Sequence, residues 1–458
     1  MKNHNIHPLT GRQELKRDIL AAIRLSVPMA AAQLAQIALQ VTDNIMCGRL
    51  GATTLAGVGL GVAAYSMLLY PLLGVINAVC PLVAQAHGAR DSEAARRSLQ
   101  QALLLALVLG VLGFFVLGQA APMLRWMGQP SELVLLADRY LQVMRWGVLP
   151  ALLGTALRGF LDSLGLPRFG LLVALSAIGI NLLGNWLLVF GKWGLPALGI
   201  AGSGLATVCV NLWVGVCLAG FILAEPKLRA YRVFSRWRLH GATLREQLRI
   251  GVPAAFAMMA EVWLFTGLSF LMGRLGTAAV AAHQIALNAA SVAFMIALGI
   301  SNASTVRVGQ AIGRGEPLAA RRAGLVGMGL GMACMSLTGL LFWLAPQLVI
   351  GAYIDLHVPA NAAVVALAMS LLRLAALFQI FDALQATSQG ALRGIKDTFG
   401  PMLLGFASYW GVGLGSGLWL GFGLGWGAQG LWIGLILGLM AAGLALATRF
   451  VLKTRPRV

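Results

Sequence analysis

Long hydrophobic stretches without a charged residue dominate the chain, and short polar segments separate them. The uncharged stretches cover residues 50–89, 99–123, 169–191, 193–224, 276–306, 323–354 and 398–448. A helix that crosses about 30 Å of hydrocarbon at 1.5 Å per residue needs about 20 residues. The last stretch is long enough for two helices, with a turn at residues 421–427. Further spans from about Asp18, near residues 134–157, from Arg249 and around Asp382 bring the predicted number to twelve.

Composition supports the same fold class. Hydrophobic residues make up 59% of the 458 residues and charged residues only 11%, against roughly 25% charged in ordinary globular proteins. A water-soluble fold of this size could not cover its surface with so few charges. We therefore predict an all-α polytopic membrane protein and exclude a soluble enzyme or binding domain.

The basic residues predict the orientation of the helices. With the N-terminus inside, 27 of the 34 Lys and Arg residues fall in cytosolic segments, as expected when cytoplasmic loops carry the positive excess. We expect a multi-pass protein of the bacterial inner membrane with both termini in the cytosol. The net charge of +19 then reflects topology and attraction to anionic membrane lipids, and no nucleic-acid partner is predicted.

The two halves of the chain form an internal repeat. A shift of 225 positions places Pro28 on Pro253, Gln85 on Gln310 and Gly88 on Gly313. Six helices separate equivalent positions, so the repeats are parallel and predict two six-helix lobes around a central cleft, as in alternating-access transporters. The predicted parts are a cytosolic tail at 1–18, an N-lobe at 19–226, a basic interlobe linker at 227–248, a C-lobe at 249–452 and a second tail at 453–458.

Three carboxylates lie inside the predicted spans, at Asp43, Glu261 and Asp382. A charge at mid-membrane costs about 2.5–3.5 kcal/mol, so such residues usually face a cavity and bind ions, protons or substrate. The structural alternative is a protonated carboxyl that a neighbouring helix satisfies. We identify all three as candidate coupling residues for a cation.

Polar and aromatic neighbours accompany these acids. Phe378 and Gln385 share a helix face with Asp382, and Asn181 and Asn185 lie one turn apart in the fifth span. The asparagines could coordinate a cation or bond across helices. Gln284, beside the intramembrane His283, is a further candidate. Apolar walls with few acids suit lipophilic cations, although aromatic residues at helical spacing also serve plain packing.

Other chemistries lack their signatures. The sequence contains no nucleotide-binding GxxxxGK[ST] motif, no HExxH motif and no nucleophile with a base at a catalytic spacing. We predict neither enzymatic activity nor a cofactor. Energy must come from an ion gradient, or the protein is a passive channel.

Several blocks of the sequence resemble the multidrug and toxic compound extrusion family, especially its NorM-like bacterial branch. They are VPMAAAQLAQIALQVTDNIMCGRLG in the first span, AAHQIALN in the eighth, and ALRG at the ends of the fourth and tenth. The resemblance, which covers nearly the whole chain, implies export of small organic cations in exchange for Na⁺ or H⁺.

The resemblance also assigns roles to particular residues. Asp43 matches the first-helix aspartate of the N-lobe, with Asn181 and Asn185 as its companions. Glu261 and Asp382 match the C-lobe acids, where a Na⁺ ion could bind. Two positions depart from the family: Asn185 stands where archaeal relatives have a fourth carboxylate, and Phe378 replaces a tyrosine that is sometimes found one turn before the tenth-helix acid.

Two alternatives to an antiporter remain. A lipid-linked oligosaccharide flippase of the same superfamily would need basic residues along its cleft, and only Arg145 and Arg373 lie inside predicted spans. A passive channel would not need two lobes with separate acids. We expect the protein to act as a monomer.

Overall fold

The computed structural model describes residues 11–194, 196–235 and 237–455. In this part of the chain, twelve long helices follow one another and no strand occurs. The first six are α1 (Gly11–Gly48), α2 (Ala52–Ile76, continued as Val79–Gly88), α3 (Ser92–Gly118), α4 (Ser131–Ser163), α5 (Pro167–Phe190) and α6 (Ile200–Ala224). The second six are α7 (Gly241–Gly273), α8 (Thr277–Gly313), α9 (Pro317–Leu344), α10 (Ala362–Gly394), α11 (Phe399–Phe406, continued to Gly423) and α12 (Gly427–Lys453).

These helices confirm the predicted fold class, and their ends differ from the predicted boundaries at two places. Helix α1 begins at Gly11, inside the segment predicted as a tail, and α7 begins at Gly241, inside the predicted linker. Hydropathy detects only the apolar part of a helix, whereas the backbone hydrogen bonds continue into the polar residues beyond it. The first ten residues and residues 456–458 of the predicted tails lie outside the described part.

Within the part of the chain that the structure describes, ten helices are long and apolar enough to cross a membrane by length and composition. The other two are α4 and α11. Arg145 interrupts the apolar stretch of α4, and α11 widens into π-helix at Ala407–Leu414 and Trp419–Gly423, which divides it into short α-helical pieces. Both nevertheless occupy the fourth and eleventh places in the alternating order, and the turn before α12 falls at residues 424–426 as predicted.

The two halves pack as separate lobes. One hydrophobic core joins α2, α3, α4 and α6 of the N-lobe, and two others join α8, α10 and α12 with further helices of the C-lobe. The lobes meet where α1 packs on α8 and where α2 packs on α7 and α8. The predicted division into two six-helix lobes is therefore present.

Glycines allow the lobes to approach closely, and they do so in symmetric pairs. An ideal Cβ at Gly88 would lie 2.1 Å from the carbonyl oxygen of Gln310, and one at Gly313 would lie 2.0 Å from that of Gln85. Gln85 and Gln310 are themselves equivalent in the two repeats. The same backbones therefore touch twice, in reciprocal contacts related by the repeat.

These contacts lie at the end of the molecule where the odd-numbered helices begin and the even-numbered helices end, which we call the basic end. Gln85 Nε2 donates to the carbonyl oxygen of Gly394 at 2.8 Å, and Gln310 Nε2 donates to that of Ser163 at 2.8 Å. Each amide thus crosses to the opposite lobe.

Ion pairs add to this closure, because the two acids at the start of α1 reach the C-lobe. Arg307 on α8 lies 3.0 Å from Asp18, and Arg322 on α9 pairs with both Glu14 and Asp18. Among the described residues, the hydrogen bonds and ion pairs that join the lobes all lie at the basic end. The lobes are closed there.

Candidate functional site

The candidate site residues of the N-lobe form one hydrogen-bonded cluster around Asp43. Asn181 Nδ2 and Asn185 Nδ2 donate to Asp43 Oδ1 at 2.9 and 2.6 Å, and Thr207 Oγ1 donates to Oδ2 at 3.1 Å. The two asparagines are 1% and 0% exposed, and Asp43 is half-buried. Three donors aimed at one carboxyl stabilise its ionised form.

Three helices position this cluster. Asp43 lies near the C-terminal end of α1, Asn181 and Asn185 lie one turn apart on α5, and Thr207 comes from α6. The sequence pattern indicated the first three residues. It could not indicate Thr207, because a threonine inside a membrane helix commonly bonds its own backbone, and this hydroxyl also contacts the Ser203 carbonyl at 3.2 Å.

We expect Asn185→Ala to destabilise the protein by about 2 kcal/mol, because it removes a hydrogen bond to a charged acceptor. Thermal unfolding in detergent, followed by tryptophan fluorescence, measures the change. Asn44→Ala is the matched control, since Asn44 is an exposed asparagine on the same helix as Asp43. A loss of stability that remains unchanged when Asp43→Asn is also present would contradict an interaction between the two side chains.

The C-lobe acids lie close together, and their hydrogen bonding differs from that of Asp43. Asp382 on α10 is 4% exposed, Glu261 on α7 is half-buried, and the two carboxyls are near enough to interact electrostatically. Asp382 Oδ1 and the Oε1 atom of Gln385 are buried, and neither has a hydrogen-bond partner among the described residues. Asp43 itself has no such free oxygen, although Asn185 Oδ1 beside it is also a buried acceptor without a partner among the described residues.

Aromatic rings cover one side of the C-lobe acids. Phe378 is 2% exposed, and its centroid lies 6.1 Å from that of Phe265 and 5.6 Å from that of Trp432. Phe378 and Gln385 are thus both buried on the stripe predicted for α10. The stripe faces the lobe interior, and Phe378 contributes packing without a polar group.

The π-helical segment of α11 supplies two further neighbours that the sequence analysis did not identify. Tyr409 is 2% exposed and lies within electrostatic range of both C-lobe acids, and Trp410 Nε1 donates to the carbonyl oxygen of Ala260 at 3.2 Å. A π-helix changes the rotation per residue, so α-helical spacing could not have predicted which α11 side chains reach α7.

His283 lies in the C-lobe core, whereas the neighbouring Gln284 lies outside it. His283 is fully buried, accepts a hydrogen bond from Trp432 Nε1 at Nδ1 (3.2 Å) and places Nε2 3.1 Å from Ser269 Oγ. This arrangement fixes a neutral ring with its proton on Nε2. Gln284 is exposed, and among the described residues no hydrogen bond joins it to either acid.

The two arginines that a flippase would need do not form a pair. The Arg145 guanidinium lies 4.6 Å from the centroid of the Phe114 ring, where α3 and α4 pack inside the N-lobe. Arg373 is exposed on α10 in the other lobe. The two arginines lie in different lobes, so they do not form a joint binding site for a diphosphate.

Metal-ion chemistry of the usual kind has no ligand set in the described residues, since no three His, Cys, Asp or Glu side chains cluster there. The carboxyls of Asp382 and Glu261 interact electrostatically, and the buried amide oxygen of Gln385 lies about one turn along α10 from Asp382. Hard oxygen ligands of this type suit Na⁺ as well as a proton. Either a Na⁺ ion or a proton therefore fits this set of oxygen atoms.

Known proteins resemble this chain over nearly its full length. The MatE family profile matches residues 28–187 and 253–419, two segments that begin at the repeated prolines. The "Multidrug resistance protein NorM" of Burkholderia vietnamiensis is 41% identical over 441 residues, which are 96% of this chain and 95% of that protein. A "Probable multidrug resistance protein NorM" of Synechococcus is 39% identical over 97% of this chain and 96% of that protein.

Solved structures share the fold at lower identity. The eukaryotic MATE transporter AtDTX14 superposes with a TM-score of 0.83 at 23% identity and 96% coverage of both chains. A MATE structure in complex with MaD3S gives 0.87 at 21% identity, with 98% of this chain and 99% of that chain covered. With a profile match in both halves and relatives near 40% identity over almost all of their length, the chain belongs to the MatE family.

Proposed function

We propose that the protein exports lipophilic organic cations in exchange for Na⁺ or H⁺ by alternating access. The observation that carries this proposal is the pair of buried acceptor oxygens, Asp382 Oδ1 and Gln385 Oε1, beside the second carboxyl of Glu261. A buried acceptor without a donor is costly. A proton or a Na⁺ ion bound there would remove that cost and the repulsion between the acids.

The contrast between the lobes supports a division of labour. Asp43 already receives three hydrogen bonds, so its charge is stabilised without an added ion. We assign ion coupling to Glu261 and Asp382, and we assign to Asp43 an electrostatic contribution to binding of the organic cation. Gln385 supports the C-lobe site and Asn181 and Asn185 support Asp43. Gln284, exposed on α8, is assigned to the cation's path.

The closure of the lobes at the basic end supports a direction of transport. If the basic end is cytosolic, as the positive-inside rule predicts, the lobes close on the cytosolic side and the acids are reached from outside. Ions would then load from the outside, where an inward gradient of Na⁺ or H⁺ provides them. We assign the protein to the bacterial inner membrane with both termini in the cytosol, acting as a monomer.

Relatives support the choice of cargo. The NorM proteins that share about 40% identity carry the name multidrug resistance protein. Few acids set among aromatic side chains such as Phe265 and Phe378 suit bulky cations, which gain from cation–π contact and from burial of apolar surface.

We expect expression in an efflux-deficient bacterial host to lower the accumulation of ethidium severalfold. Fluorescence of cells loaded with the dye measures it, before and after collapse of the ion gradients. The Glu261→Gln/Asp382→Asn variant at equal membrane abundance is the control. Accumulation equal to that of the empty vector, with the protein correctly inserted, would exclude ethidium-like cations as cargo.

A further inference from the structure

The basic end of the N-lobe contains a cavity of about 980 Å³ between α1, the start of α5 and the end of α6. Its volume is in the range of small-molecule sites. Four basic side chains line it and no acidic one does: Lys16, Arg17 and Arg24 from α1, and Arg168 from α5. We call this cavity the N-lobe groove.

Helix α1 sorts its charges between two faces. Lys16, Arg17 and Arg24 follow helical spacing on the groove face. Glu14 and Asp18 point to the other side, where Arg322 and Arg307 of the C-lobe engage them. Within the described residues, none of the four groove cations forms an ion pair. The acids of the same helix are therefore not available to neutralise the groove.

The first turn of α5 adds to the positive field. Helix α5 begins with Pro167 and Arg168, and no side chain caps this end at Leu166. The free amide groups and the dipole of a 24-residue helix favour an anion at its N-terminus. The dipole and the four side chains act on the same space.

Apolar side chains form the rest of the groove. Leu20 and Leu172 are 47% and 62% exposed, and Phe169 stacks on Phe221 with ring centroids 3.7 Å apart. A soluble anion would leave these surfaces in contact with water. An acyl chain would cover them. The groove lies where α5 starts and α6 ends, beside the ends of their uncharged stretches at residues 169–191 and 193–224, which is where headgroups are expected for helices that span the membrane.

The C-lobe offers a comparison. Its cavity of about 440 Å³ at the same end, between α11 and α12, is lined by Arg449 and Lys453. Both bind Asp397, at 2.7 and 2.8 Å. Burial alone would raise the pKa of Asp397, but the hydrogen bonds from these two cations outweigh it and hold the pKa below its ordinary value. One carboxylate thus offsets part of the positive charge of this cavity, whereas no acid offsets that of the N-lobe groove.

We propose that the N-lobe groove binds an anionic glycerophospholipid of the surrounding leaflet, with its phosphate among the four basic side chains and an acyl chain along Leu20 and Leu172. Basic pockets between membrane helices on the cytoplasmic side are suited to such headgroups. This site is separate from the cation path and does not depend on the proposed transport function.

The test measures lipid binding to the purified full-length chain in neutral detergent by native mass spectrometry. We expect phosphatidylglycerol to bind at least about tenfold more tightly than phosphatidylcholine, which is about 1.4 kcal/mol. Arg17→Gln/Arg24→Gln/Arg168→Gln should abolish this preference. The control Arg238→Gln/Arg245→Gln/Arg455→Gln removes the same charge from exposed residues outside the groove and should retain it.

Two further measurements keep the result unambiguous. A monodisperse elution profile of each triple variant excludes loss of folding, and the single variants should each weaken binding if the triple variant does not fold. Millimolar inorganic phosphate should not displace the lipid. Equal affinity for both lipids, an equal loss in the control variant, or displacement by free phosphate would each overturn the proposal.

Discussion

Asp382→Asn and Glu261→Gln should each reduce gradient-driven export to the level of vesicles without the protein. Both substitutions keep the shape of the side chain and remove its charge. Asp382 is buried with one oxygen unpaired, and Glu261 is its electrostatic neighbour. Loss of either carboxyl leaves a single acid, which removes one of the two charges that hold a Na⁺ ion or a proton at the site.

Dye uptake into inverted vesicles, driven separately by a Na⁺ or a pH gradient, measures this effect. Glu132→Gln and Asp355→Asn make the same chemical changes at exposed positions and should transport normally. Asp43→Asn should also abolish export, because Asp43 is the N-lobe acid that we assign to binding of the organic cation. Full uptake by the Glu261→Gln/Asp382→Asn double variant would disprove the C-lobe coupling site.

The second large effect is expected at the lobe contact. Gly88→Ala/Gly313→Ala adds two methyl groups where each Cβ would lie about 2 Å from a carbonyl oxygen of the other lobe. Contacts this short are not tolerated, and the atoms in the way belong to the backbone, so the basic end cannot close as described. We expect insertion to be normal and transport to be lost, with the basic end held open.

A reporter cysteine detects this opening. Val306 is 1% exposed in an interlobe cluster with Met29, Ala84 and Ala303, and Val306→Cys in a background without the five native cysteines is nearly isosteric. It should react with a membrane-impermeant maleimide in inverted vesicles only when the glycines are replaced. Gly220→Ala/Gly329→Ala, at two positions with open space, is the control. Unchanged protection of the cysteine in the Gly88→Ala/Gly313→Ala variant would refute the steric argument.

Much of the fold could be predicted because membrane insertion leaves a simple record in the sequence. Helix length follows from bilayer thickness and the two-lobe plan from the repeat, whereas the orientation that the basic loops indicate stays a prediction. The starts of α1 and α7 could not be read from hydropathy, because polar residues extend these helices beyond the apolar stretch. The π-helical segments of α11 could not be predicted, since nothing in its residues marks where the backbone widens into π-helix.

Carboxylates and amides inside lipid-length helices indicated the candidate site residues, and the family resemblance paired Asp43 with Asn181 and Asn185. Asp43 with Asn181 and Asn185, and Asp382 with Gln385, stand out because polar groups in lipid-length helices are rare. Thr207 and Tyr409 could not be identified this way, since hydroxyl side chains are common in such helices. Whether a hydroxyl reaches an acid depends on which helix packs opposite it. That three donors saturate Asp43, while Asp382 keeps an unpaired oxygen, depends on geometry between helices.

The reciprocal contacts of Gly88 and Gly313 have the character of an isologous dimer interface, in which residue i touches residue j and j touches i. The chain is thus equivalent to a homodimer of a six-helix unit whose two subunits have become covalently joined. A fused dimer is free to lose exact symmetry wherever its halves do not touch each other. The N-lobe carries Asp43 and its amides on α1 and α5, whereas the C-lobe carries its acids on α7 and α10. The two halves thus differ at their polar sites, while they keep the two-fold contact at the basic end.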